Sequence, residues 1–321
     1  MLSRTRGFAL SPDFVLVTRG IVQGIDFAAR ALVRPGEVVA IEALGYPPAW
    51  NALRLAGARL VPVPLDSGGL DVGALEALAS REQVRAVLVT PHHQFPTSAV
   101  MSPARRSRLA ALAARHRFVI LEDDDDHEFH YEGKPLLPIA AAAGFANAIY
   151  IGSLANLLPP GISAGFVLAP PAVLERFVGL RLASAARGDA AVERAIAELF
   201  EDGELVRHAR RVRRIYASRR DALVAALERY VQGALRFSTP DGGMAIWARV
   251  DEAVDVDAWV SAGESEGVLF APSHRFAFAG RAPPFLRLGF TSLDESELTE
   301  AARRMGRALG RLREPKRAAR R

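Results

Sequence analysis

The sequence predicts an α/β fold, a seven-stranded, mostly parallel sheet followed by a smaller C-terminal α+β unit. Two observations carry that expectation. Between residues 15 and 170, short β-branched runs alternate with Ala- and Leu-rich helical stretches. After Pro170 the alternation gives way to a long helical stretch and then a few further strands. Regular alternation of this kind builds a parallel sheet covered by helices on both faces. The chain has 321 residues, 50% of them hydrophobic, so a sizeable core is available and two domains are expected.

Seven apolar runs qualify as strands: 15–18, 38–42, 59–63, 86–90, 118–122, 148–151 and 165–168. Each is short and bounded by Gly, Pro or polar turns, as buried strands are. Helical periodicity lies between them at 25–32, 48–56, 72–79 and 105–115. A helical stretch then covers 172–232, with breaks expected near Gly188 and Gly203. Strands follow at 244–250, 268–271 and 285–289, and a last helix at 294–312. The expected organisation is therefore a large unit over 1–170, connecting helices over 171–235, a small α+β unit over 236–312 and a basic tail over 313–321. Ligands of such sheets sit beyond the strand ends, in the loops that follow them.

Composition excludes several classes of chemistry. The chain has no cysteine, which rules out disulfides, thiolate metal sites and a cysteine nucleophile. No apolar run reaches the roughly 20 residues of a membrane helix. The N-terminus lacks the apolar core of a signal peptide, so a cytoplasmic protein is expected. The net charge is +5, much of it in the tail, which reads as a solvated terminus. No nucleic-acid motif is evident, and direct nucleic-acid binding by this chain is not expected. Only two lysines occur, Lys134 and Lys316.

The most acidic segment is Glu122-Asp123-Asp124-Asp125-Asp126-His127-Glu128-Phe129. Alone it reads as a helix start or as a Mg²⁺ or Ca²⁺ site. Its context favours something more specific, and no metal ligand set is expected. The string is similar to E-D-D-Y-D-x-E-F-x-Y. Gly152-Ser153-Leu154-Ala155-Asn156-Leu157-Leu158-Pro159-Pro160-Gly161 resembles G-S/T-x-S/A-K-x-x-x-P-G. Val17-Thr18-Arg19-Gly20-Ile21-Val22-Gln23 resembles V-T-S-G-x-Q-Q, and Thr90-Pro91-His92-His93-Gln94-Phe95-Pro96 resembles T-P-x-H-Q-F/Y-P. Gly45-Tyr46-Pro47, the run from Arg207 to Tyr216, Gly242-Gly243 with Trp247, and Arg287-Leu288-Gly289-Phe290 continue the likeness. Together these motifs resemble the fold-type I aminotransferases, and among them the effector domain of MocR/GntR-type transcriptional regulators.

The resemblance implies a pyridoxal 5'-phosphate site in the large unit, with a role for each matching position. Asp123 falls where the family pairs a carboxylate with the cofactor's ring nitrogen. Tyr46 and Phe95 fall where aromatic rings line the cofactor. Gly20 opens the turn whose backbone N–H groups hold its phosphate, and Ser153 supplies a hydroxyl there. Arg287 matches the arginine that clamps a substrate carboxylate; a buried structural arginine is the alternative.

Four departures set this chain apart. Asn156 occupies the position of the Schiff-base lysine, and an amide forms no imine. Asp125 stands where a tyrosine contacts the phenolic oxygen, Ser163 where an arginine pairs with the phosphate, and Ile21-Val22 where the pattern is polar. Each lost charged hydrogen bond is worth roughly 1.5–3 kcal/mol. The expected cofactor affinity is lower by about three orders of magnitude or more.

The chain also begins almost at the first family strand, without the N-terminal arm, the winged helix-turn-helix or the linker. A truncated product, a late start and a stand-alone remnant are the readings. The expectation is a catalytically degenerate pseudoenzyme, a ligand-sensing or dimerising module for an amino-acid-like ligand. The alternatives are a noncovalent pyridoxal or pyridoxamine phosphate enzyme and a regulatory subunit with a DNA-binding partner. A homodimer is expected in each case.

Overall fold

The structure, a computed structural model, describes residues 5–159, 161–186, 188–280 and 282–313. Lys316 and the tail from residue 314 lie outside the described residues, as does Pro160. The strands are β1 (Val15–Thr18), β2 (Val38–Glu42), β3 (Arg59–Val63), a small hairpin of β4 (Leu65–Asp66) and β5 (Gly69–Leu70), β6 (Val84–Val89), β7 (Val119–Asp124), β8 (Ala148–Ser153) and β9 (Gly165–Leu168). Seven of them form one sheet in the order β1-β9-β8-β7-β6-β2-β3. Its pairs are parallel from β3 through β8, whereas β9 runs antiparallel to both β8 and β1. Consequently β1 runs parallel to β8 and ends on the same edge of the sheet.

The sheet is buried on both faces because neighbouring residues supply opposite cores. On β6, Val87 and Val89 join one cluster with Leu75, Leu109 and Leu112. Ala86 and Leu88 join the other, with Ile25, Leu53 and Phe177. This is the period of two of a pleated strand. The helices that cover the faces are α1 (Ile21–Leu32), α2 (Pro47–Leu55), α3 (Val72–Ala79), α4 (Pro103–His116), a short α5 (Ile139–Ala142) and α6 (Pro171–Ala183). Then come α7 (Ala190–Glu201) and α8 (Glu204–Tyr230). The interruption before α7 spans Gly188, and Gly203, at φ 72°, starts α8.

A four-stranded antiparallel sheet follows, in the order β10 (Leu235–Arg236), β11 (Ala245–Val250), β13 (Phe285–Gly289), β12 (Ala271–Pro272). It packs on α9 (Val256–Ser265) and α10 (Glu295–Arg313) around Trp259, Leu286 and Phe290. The strand expected over 268–271 is only the pair Ala271–Pro272. Val268 and Phe270 are buried by packing instead of pairing, Phe270 against the Trp259 ring at 5.5 Å. The strand expected over 118–122 runs on to Asp124, because β8 pairs Asp123 with Ile151 and Asp124 with Gly152.

The second sheet docks on the first through a short seam. Tyr131 N–H donates to Asp241 O at 2.7 Å, Gly243 N–H to Phe129 O at 2.9 Å, and the Tyr131 hydroxyl to Gly243 O at 2.6 Å. The buried Arg220 on α8 closes the seam with Pro240 O at 2.7 Å and Glu132 at 2.9 Å.

α1 approaches the sheet closely where its start meets β9. A Cβ on Gly165 would lie 2.8 Å from Gly20 Cα, and Gly20 itself has φ 95°. Gly165→Ala is therefore expected to destabilise the fold by about 1–3 kcal/mol, read as a lower urea midpoint. An unchanged midpoint would mean that this contact relaxes freely.

Candidate functional site

A cavity of about 340 Å³ opens at the edge of the sheet where β1, β6, β7 and β8 end. All nine residues singled out in the sequence line it. Gly20 follows β1, Tyr46 precedes α2 and Phe95 lies in the loop after β6. Asp123 and Asp125 come from the end of β7, Ser153 and Asn156 from the end of β8, Ser163 from the approach to β9 and Arg287 from the second sheet. The fold thus gathers residues spread over 268 positions into one pocket, from 19 to 287, and Arg19 is part of it.

Strand alternation divides the acidic string, so it does not act as one cation site. The Glu122 carboxylate turns away and accepts Ile139 N–H at 2.8 Å and Ala140 N–H at 2.9 Å, capping α5. Asp124 turns the same way, accepting from His127 Nδ1 at 2.8 Å and the Tyr150 hydroxyl at 2.6 Å. Burial opposes its ionisation, yet His127, His92 and Arg6 hold it below the usual carboxylate range. Asp123 faces the cavity. Its Oδ1 is buried and has no hydrogen-bond partner among the described residues. Burial, with the charges of Asp125 and Asp124 behind it, pushes this carboxyl well above the ordinary range.

Asn156 is held by Asp125, the residue at the position where the resemblance implies a tyrosine. Its Nδ2 donates to Asp125 Oδ2 at 2.8 Å and to Asp125 O at 3.1 Å. Asn156 sits in the 3-10 turn Ala155–Leu157, which the Ser153 hydroxyl starts by accepting Ala155 N–H at 3.1 Å. Burial raises the Asp125 carboxyl, and the Asn156 and Ser153 hydrogen bonds oppose that rise. Two of the four departures are therefore one contact.

At the other end, α1 starts at Gly20 with no side-chain cap among the described residues, and Gly20, Ile21 and Val22 line the cavity. Such a terminus favours an anion. Ser163 lies alongside, its Cβ 3.9 Å from where a Gly20 Cβ would be. Arg19 lines the same end and has no ion pair among the described residues. Sequence reading passed over it because the matching motif carries a serine there.

The ring-lining residues pack on one another. Tyr46 and Phe95 meet edge to face at 5.6 Å, and the Arg287 guanidinium stands 4.8 Å over Phe95. Arg287 forms no salt bridge among the described residues, and its Nε is unpartnered. Burial lowers its proton affinity, with Asp126 pulling the other way. The structural partner weighed as an alternative is not found among the described residues. Below the rings, Gln94 donates to Glu42 Oε2 at 3.2 Å and to Leu44 O at 2.9 Å. Lys134 is exposed and does not line the cavity.

A family model described as aminotransferase class I and II matches residues 1–305. The chain belongs to this family. It is 32% identical to the 2-aminoadipate transaminase of Thermus thermophilus over 93% of this chain and 76% of that protein. It is 31% identical to the probable rhizopine catabolism regulatory protein MocR of Rhizobium meliloti over 93% of this chain, but only 60% of that protein. Among solved structures, the α-aminoadipate aminotransferase LysN of Thermus thermophilus, complexed with N-(5'-phosphopyridoxyl)-L-leucine, superposes with a TM-score of 0.89. It is 30% identical and covers 97% of this chain and 80% of that one. Pyrococcus horikoshii kynurenine aminotransferase, in a complex with PMP, gives 0.88 at 26% identity, over 98% of this chain and 79% of that one. The fold is that of the fold-type I aminotransferases.

Burial drives the Glu42 carboxyl from its ordinary 4.5 up to about 8, against the hydrogen bonds of Gln94 and Thr90. The folded state thus keeps a proton that the unfolded chain has released. This contribution is complete below about pH 4.5 and is lost as pH rises through about 8. Glu42→Gln is expected to flatten the stability profile and to exceed the parent at pH 9 by on the order of 2 kcal/mol. Urea titrations at several pH values check this, and parallel profiles would refute it.

Proposed function

We propose that this chain is a catalytically degenerate member of its family whose cavity binds an amino-acid-like or pyridoxyl-like anionic ligand without a covalent link. The Asn156–Asp125 hydrogen bond carries the reading. A lysine at position 156 would hold the cofactor and move its proton; the amide does neither, and it is committed to Asp125. No other amine reaches the cavity among the described residues.

The residues fit pyridoxal phosphate at its ring nitrogen and its phosphate, and not at its aldehyde or phenolic oxygen. Asp123 offers a buried, unpartnered carboxylate oxygen suited to a protonated ring nitrogen. The start of α1, Ser163 and Arg19 offer donors for a phosphate. An aldehyde beside Asn156 would meet an amide, and a phenolic oxygen beside Asp125 would meet a carboxyl group that supplies no donor when ionised. A ligand with an amine in place of the aldehyde suits this polarity better, and Asp125 then becomes a partner for that amine. We infer that pyridoxamine phosphate, or an amino acid whose carboxylate reaches Arg287, is the ligand class. A homodimer, as the resemblance implies, belongs to the same proposal.

Titration of the protein with pyridoxal phosphate, followed by borohydride reduction and peptide mapping, tests the covalent half. No lysine adduct is expected in the parent chain. Asn156→Lys alone should restore little of the visible band, and Asn156→Lys with Asp125→Tyr should restore more. A reducible adduct on Lys134 or Lys316 in the parent would sink the reading.

The noncovalent half is read by calorimetry with pyridoxamine phosphate. Asp123→Asn is expected to weaken binding roughly tenfold to a hundredfold, the value of one charged hydrogen bond. Equal affinity in the variant, or none in the parent at millimolar ligand, would end it.

A further inference from the structure

Four of the seven histidines gather beside the cavity, although they come from two loops. His92 and His93 follow β6; His127 and His130 follow β7. The two pairs are far apart in sequence, 37 positions between His93 and His130, so no ligand spacing is visible there. In the fold, the His93 and His130 rings lie 5.5 Å apart and 15° from parallel, and the His92 ring is 4.3 Å from that of His93.

Candidate ligand atoms of His92, His93 and His130 all lie within 4.8 Å of one another. His93 Nε2 and His130 Nδ1 are 3.3 Å apart. Two nitrogens bound to a tetrahedral zinc ion at about 2.0–2.1 Å stand about 3.3 Å from each other. His92 is 2% exposed, and its Nε2 has no hydrogen-bond partner among the described residues. A direct hydrogen bond between His93 and His130 accounts for two rings and leaves that third nitrogen unexplained. A shared cation accounts for all three. His127 is excluded as a ligand, because its Nδ1 is paired with Asp124 and its Nε2 with Thr5 O at 3.2 Å.

The surroundings match those of a metal-binding imidazole. His93 Nδ1 faces Asp126 Oδ1 at 3.0 Å. A carboxylate in this place fixes the ring and its tautomer, leaving the Nε2 lone pair pointing outward. His93 also holds φ 51°, in the left-handed region, a cost usually found where function demands it. Only glycine fits at 242, since a Cβ there would clash with the His93 ring at Nε2. His130 is half-buried and provides a way in from solvent.

We propose that His92, His93 and His130 form a three-imidazole site for a divalent transition-metal ion, zinc foremost, with Asp126 as the carboxylate that positions His93. Imidazole nitrogens suit this class of ion, and three of them leave a fourth position for water or a ligand carboxylate. His93 and Asp126 both line the cavity, so the ion sits in its wall.

The test uses full-length protein without an affinity tag, stripped with chelator and titrated with Zn²⁺ by calorimetry and with Co²⁺ by visible absorption. One ion per chain is expected, with a dissociation constant of about 1 μM or tighter and a cobalt spectrum of tetrahedral type. His92→Gln and His130→Gln should each weaken binding at least about tenfold, and Asp126→Asn about tenfold to a hundredfold. His274→Gln, on an exposed turn, should change nothing. If His92→Gln fails to fold, the half-buried His130→Gln decides alone. No binding at about 1 mM Zn²⁺, or binding indifferent to His130→Gln, overturns the proposal. Metal occupancy is the readout, so the outcome is independent of whether the cavity takes a pyridoxyl ligand.

Discussion

The buried charge network around Asp124 fixes the end of β7, and every polar wall of the cavity depends on that strand end. Asp124 takes hydrogen bonds from His127 and Tyr150; Arg6 reaches Tyr150 at 2.6 Å and Glu128 at 2.7 Å. All of these groups are out of water, so removing one partner strands a charge and costs about 3–5 kcal/mol. With Asp124 tied inward, the pleat turns Asp123 outward into the cavity. The chain beyond then delivers Asp125 to Asn156 and Asp126 to His93. One strand end therefore sorts five consecutive acidic residues into a helix cap, an internal ion pair and three cavity groups.

That sorting changes the meaning of the substitutions. The Asn156 amide and the Asp125 carboxylate, which stand where the resemblance implies a lysine and a tyrosine, satisfy each other. The cavity is consequently polar, with the carboxyl groups of Asp123, Asp125 and Asp126 and the cations Arg19 and Arg287 among its lining. Among the described residues Arg287 Nε and Asp123 Oδ1 are buried without a hydrogen-bond partner, which is unusual for buried polar groups.

Much of the fold was legible because buried strands and helices leave different periods in the chain. The strands at 15–18, 38–42, 59–63 and 165–168 coincide with β1, β2, β3 and β9 to the residue. The region 268–271 misled because an apolar run looks the same whether it pairs or only packs. β10 has just two residues and leaves no period at all. The cavity residues were legible through the order of motifs. Their contacts were not, since the Asn156–Asp125 bond joins residues 31 positions apart through strand pairing. The histidines escaped for the same reason, three of them filling variable positions in two separate motifs.

Helix α8 has a mechanical consequence. Its 27 residues, about 40 Å of rod, put Leu205 in the core of the large sheet and Leu227 in that of the small one. Neither end can melt without pulling apolar surface out of a separate core, so the two sheets lose their structure together. A ligand that gripped both walls of the cavity between the sheets would therefore raise the melting temperature of the entire chain.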